Sequence, residues 1–66
     1  MNKRAMVEIY LAAAGDVVTC EEVRAHLSER LGYQVAGPTA SRAVGACGWI
    51  RSCSADTGKI IFRRPA

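Results

Sequence analysis

Glycines at positions 15, 32 and 48 each follow a run of helix-forming residues, cutting the chain into three short helical segments and a C-terminal remainder. Glycine ends a helix cheaply because it enters the left-handed conformation of the closing turn without a Cβ penalty. The first segment, Asn2 to Ala14, places Met6, Ile9, Tyr10 and Ala13 at helical spacing, which predicts that this stripe faces the core and that Gly15 forms the cap. Asp16 to Val18 then reads as a short extended piece. The second helix announces its own start. Thr19 and Glu22 are spaced as a capping box, in which the threonine oxygen accepts the Glu22 amide and the Glu22 carboxylate returns to the Thr19 amide. Glu21 and Glu22 also suit the positive end of the helix dipole. Val23, Leu27 and Leu31 recur every four residues as the buried stripe, with His26 at its edge as a packing residue.

Tyr33 to Ala36 form a turn, and Pro38 sets the start of a third helix, where a missing N–H costs nothing; Gly37 is the expected N-cap. Ala40, Val44 and Cys47 form the inward face of that helix. Trp49 to Cys53 and Lys59 to Arg64 are two extended runs around Ser54-Ala55-Asp56-Thr57-Gly58, a loop of the size and chemistry of a β-hairpin. Trp49 and Phe62 are expected to anchor that hairpin on the core. The fold class is therefore α+β, a single domain over residues 1–66 with three helices and a C-terminal hairpin, in the order of a winged helix-turn-helix.

Size and charge narrow the function. A chain of 66 residues builds a small core and no deep catalytic cleft. Its 50% apolar and 23% charged residues fit a folded domain, not a disordered tail. Lys3 and Arg4 ahead of the apolar run Ile9 to Ala14 have the outline of a secretory signal, but Glu8 interrupts it and the run is too short for a membrane span. A cytoplasmic location without membrane contact is expected. Cys20, Cys47 and Cys53 are an odd number with spacings that match no zinc site, and His26 is the sole histidine, so neither a disulfide framework nor a metal is expected. No nucleophile is paired with a base, and there is no phosphate loop and no carboxylate set among apolar residues. An enzyme is not expected, nor is a cofactor.

Charge is divided unevenly along the chain. Residues 1–36 carry four basic and five acidic side chains, a net −1, whereas residues 37–66 carry five basic ones against Asp56 alone, a net +4. Such asymmetry is the footprint of a polyanion binder. The outward face of the third helix carries Thr39, Ser41, Arg42, Gly45 and Ala46, a slender surface with one guanidinium. A helix of that shape can approach the floor of a major groove, where Arg42 is able to make a bidentate contact with guanine. Arg51, Lys59, Arg63 and Arg64 on the hairpin suit the flanking phosphates.

The segment Leu31 to Val44, followed by Gly48-Trp49-Ile50-Arg51, resembles the helix-turn-helix of winged-helix bacterial regulators and is most similar to the N-terminal DNA-binding domain of arginine repressors. Thr19, Glu21, Glu22 and Val23 match that family's T-x-E-E-L helix start, and Thr39, Ser41 and Arg42 match its T-x-S-R. The resemblance implies a winged helix whose Ser41 and Arg42 contact DNA. Ala36 stands where the family has a capping threonine, and Gly37-Pro38 replaces two ordinary helix formers. The family's arginine-binding domain has no counterpart in these residues, so no small-molecule effector is implied. The expected function is that of a small DNA-binding protein, a transcriptional regulator or a phage- or plasmid-type accessory factor. Its partner is double-stranded DNA, and it acts as a homodimer or within a larger complex. The alternative is a winged helix that docks another protein.

Overall fold

The computed structural model describes residues 2–66. The elements run α1 (Lys3–Ala13), β1 (Val17–Thr19), α2 (Cys20–Leu31), α3 (Gly37–Ala46), β2 (Ile50–Cys53) and β3 (Ile60–Arg63). The architecture is α+β: three helices against a three-stranded antiparallel sheet in the order β1-β3-β2. Among the described residues, no helix is long and apolar enough to cross a membrane.

Asn2 opens α1 by accepting the Ala5 amide on its side-chain oxygen at 2.8 Å. The face that α1 buries differs from the expected stripe. Val7 and Leu11 are fully buried, Met6 and Tyr10 flank them, and Ile9 is 60% exposed with Ala13 also on the surface. Several overlapping stripes satisfy helical spacing in a segment this apolar, so only packing against the other helices selects among them. Gly15 does not supply the cap either. Ala14 is the C-cap and is extended at φ −81°, ψ 169°, leading straight into β1. The carbonyls at this helix end are served from a distance as well as locally: Nη2 of Arg64 donates to the oxygens of Ala14 at 2.8 Å, Leu11 at 3.0 Å and Gly15 at 3.1 Å, and the Ala14 amide also donates to Leu11 at 3.2 Å.

Thr19 caps α2 as expected, accepting the Glu22 amide at 3.0 Å. The return bond of the capping box is not formed among the described residues. The Glu22 carboxylate stands instead beside the Tyr10 hydroxyl. Burial first, and then the Glu22 charge and hydrogen bond, push the Tyr10 phenol above its ordinary range. A raised phenol pKa means that folding favours the neutral form, so stability falls as pH climbs past the unfolded value near 10. Tyrosinate absorbance should therefore show Tyr10 ionising late and together with unfolding; an ordinary early titration would contradict this environment. Tyr10 also stacks on His26 with ring centroids 4.5 Å apart, confirming the histidine as a packing residue. Val23 and Leu27 are fully buried, and Gly32 closes the helix at φ 78°.

Ser28 organises the turn into α3 by accepting the Val35 amide at 2.9 Å, while Arg24 reaches both Ser28 Oγ and the Val35 carbonyl. The N-cap of α3 is Ala36, not Gly37, and its carbonyl accepts the Thr39 amide at 3.1 Å. Gly37 is the first helical residue; lacking a Cβ, it escapes part of the clash that disfavours the α region before a proline. Ala40 and Val44 face inward, fully buried, and Gly48 turns out of the helix at φ 88°.

The central strand β3 pairs on both sides. Val18, Phe62 and Arg51 form one cross-strand row, and Val17, Arg63 and Ile50 form another on the opposite face. Phe62 is 1% exposed and Trp49 8%, so both anchor the hairpin to the core.

Candidate nucleic-acid interface

On α3, the inward positions of Ala40 and Val44 leave Pro38, Ser41, Arg42 and Gly45 on the opposite side, since these recur at three- and four-residue steps. Arg42 and Gly45 are exposed, whereas Ser41 is half-buried and Thr39 sits half-buried to one side. β2 brings Arg51 alongside. Its register partner is Phe62, which places it on the helix side of the sheet. A groove of about 470 Å³ opens between the two elements, bordered by Pro38, Ser41 and Arg42 of α3, Arg51 of β2 and Ile60 of β3. No acidic residue lines it. The sulfur of Cys20 closes its inner end, donating weakly to the Gly37 carbonyl at 3.6 Å.

Ser41, Arg42 and Arg51 are thus brought together, with Gly45 one turn further along α3. Lys59 follows the turn closed by Ser54 and Gly58, where the Gly58 amide donates to the Ser54 carbonyl at 2.8 Å. It lies within electrostatic reach of Glu21. The hydrogen bond and charge of Arg24 hold the Glu21 carboxyl below its ordinary range, and Lys59 adds to the effect. Arg63 is exposed on the far face of the sheet, between Val17 and Ile50. Arg64 is engaged inside the fold. Besides the carbonyls of Leu11, Ala14 and Gly15, its guanidinium lies 4.8 Å from the Trp49 ring centroid and 3.5 Å from Asp16. Neither Arg63 nor Arg64 reaches the groove.

Sequence reasoning did not identify Pro38, Cys20 and Ile60 as walls of the groove. Pro38 was legible only as a helix start, and the other two lie on different elements that the fold alone brings together.

The glycine in the interior of α3, Gly45, is informative in another way. A Cβ built at Gly45 would meet nothing within 4 Å, so the protein's own packing does not require a glycine there. The three cysteines are free: Cys53 is exposed, and Cys20 and Cys47 are half-buried. Burial, then the charge of Glu8, raises the Cys47 thiol pKa, which leaves it poorly suited as a nucleophile. Among the described residues, no cluster of histidine, cysteine or acidic side chains could hold a metal ion.

No protein-family model matches the chain, and no curated protein or solved structure does.

Proposed function

We propose that the chain is a winged helix-turn-helix that binds duplex DNA, with α3 entering the major groove and Arg51 and the β2–β3 turn lying on the flanking phosphates. The observation that carries this reading is the acid-free groove in which Ser41 and Arg42 of one element meet Arg51 of another. The element order α1-β1-α2-α3-β2-β3 supports it, as does the resemblance of Thr39, Ser41 and Arg42 to the arginine-repressor motif. An α-helix is about 10–12 Å across with its side chains, matching a major groove about 12 Å wide. The small residues on the outer side of α3 allow that approach. Arg42 reads base edges, and Arg51 and Lys59 neutralise phosphates.

Fluorescence anisotropy with a mixed-sequence duplex tests the reading. Affinity should fall steeply between about 50 and 200 mM salt, because each neutralised phosphate releases counterions. Absence of binding at about 50 mM salt would sink it. One feature favours a second reading, a winged helix that docks a protein through the same surface: Arg42 is the only charged residue of α3.

Gly45 separates fold from function. Gly45→Ala should stabilise the domain by about 0.5 kcal/mol, since alanine fits the helix and meets open space. The same methyl group should weaken DNA binding if α3 lies close to the groove floor. Parallel thermal melts and anisotropy titrations check both halves; unchanged affinity would place Gly45 away from the contact.

A further inference from the structure

A second groove, of about 500 Å³, runs between α1 and α2 and shares no bordering residue with the one beside α3. Its α2 wall is made by Glu22, His26 and Arg30, and its other wall includes Met6, Ile9 and Val17. Residues four apart on a helix are about 6 Å apart along its axis, so the backbone positions of Glu22 and Arg30 lie about 12 Å apart along α2 with that of His26 midway. Glu22 and Arg30 have no ion-pair partner among the described residues, whereas Glu8 is paired with Arg4 and Glu21 with Arg24. Apolar surface is also left open here. Ile9 is 60% exposed and Val17 46%, two of the four large hydrophobics on the surface of the described chain.

An acid, a midpoint and a base at equal steps make a pattern that is complementary to itself when reversed. We infer that this groove pairs with the same groove of a second copy across a two-fold axis passing near His26. Glu22 of each copy then faces Arg30 of the other, while Ile9 and Val17 are covered. In such a contact one surface patch serves both partners, and any residue pair across the axis occurs twice. The apolar side chains supply the drive to associate, and the two charge pairs set orientation and exclude parallel pairing. A small ligand would match the groove's volume equally well, but nothing about a small ligand requires mirror-ordered charges. The pairing does not rest on DNA binding and is read without DNA present.

Sedimentation velocity over a concentration series to about 0.5 mM tests it, a range in which even a small specific interface populates dimer. The wild-type chain should associate. Glu22→Lys and Arg30→Glu should each weaken self-association about tenfold or more, because each places like charges opposite one another twice. The decisive sample is a one-to-one mixture of the two variants. There the two substituted side chains face each other with opposite charges, and the native Arg30 of the first variant meets the native Glu22 of the second. The mixture should therefore form a heterodimer that neither variant matches alone. The doubly substituted chain should likewise regain self-association. Circular dichroism of each variant establishes that it is folded. A wild-type chain that stays monomeric throughout overturns the inference, and so does a dimer indifferent to the swaps or a mixture that fails to associate while both variants are folded.

Discussion

Alanine in place of Arg64 should lower the melting temperature by roughly 10–15 °C, corresponding to about 2 kcal/mol in a domain of this size. The guanidinium holds the carbonyls of Leu11, Ala14 and Gly15 at the end of α1, of which Leu11 also accepts the Ala14 amide, and it packs on Trp49 beside Asp16. Hydrogen bonds from a charged donor contribute about 1.5–3 kcal/mol, and partial exposure of this side chain places the net effect in the lower part of that range. Small domains carry only about 0.05–0.15 kcal/mol of stability per residue, so this is a large share of the whole. Arg64→Lys should recover less than half of the loss. A lysine ammonium is a point donor and cannot both lie flat on an indole and reach three carbonyls. A melt unchanged in Arg64→Ala would show that the helix end is served equally well by water.

Loss of Arg42 and Arg51 together should reduce duplex affinity about 100-fold or more, and the two single variants should fail in different ways. Arg42→Ala should cost about 1–3 kcal/mol on a preferred sequence and little on others, because a bidentate contact with a base edge carries the discrimination. Arg51→Ala should weaken all duplexes alike and reduce the slope of log affinity against log salt by about one, the signature of one phosphate contact. Both side chains are exposed, so thermal melts should stay within about 0.5 kcal/mol of wild type. Equal, sequence-independent losses for both would show that Arg42 reads no base. Intact affinity in the double variant would move the interface elsewhere on the molecule.

Local signals were legible wherever the responsible atoms lie within one turn of each other. The Thr19 cap, the Val23 and Leu27 stripe, the Gly32 and Gly48 terminations and the turn at Gly58 are all short-range events, and the elements fall where those residues place them. The face of α1 was not legible, because a segment with apolar residues on several sides offers more than one stripe and the choice depends on the shape of α2 and α3. The cap of α3 moved by one residue because Gly37, with no Cβ to meet the proline ring, enters the helix ahead of Pro38. Half of the capping box is not formed, and Glu22 instead borders the groove that Tyr10 lines from a different helix. Arg63 and Arg64 illustrate the same limit at the site. As neighbours at the end of one strand they read as a pair of cations for phosphate. One points across the open face of the sheet, and the other reaches 53 positions back to Leu11. The partnership of Arg42 with Arg51 appeared in the sequence only as an excess of positive charge, since it depends on the register that sets Arg51 opposite Phe62.

The position of β3 at the centre of the sheet has a consequence for synthesis. β1 and β2 both pair with β3 and not with each other, so each lacks its partner until residues 60–63 have been made. The last turn of α1 waits longer, for residue 64. A nascent chain with residues 60–64 still in the exit tunnel would expose Val18 and Trp49 and carry two orphan strand edges. Folding is then governed by the final contacts to become available, which are also among the most distant in sequence. Emergence of residues 60–64, not of the helices, is the event on which the native state depends.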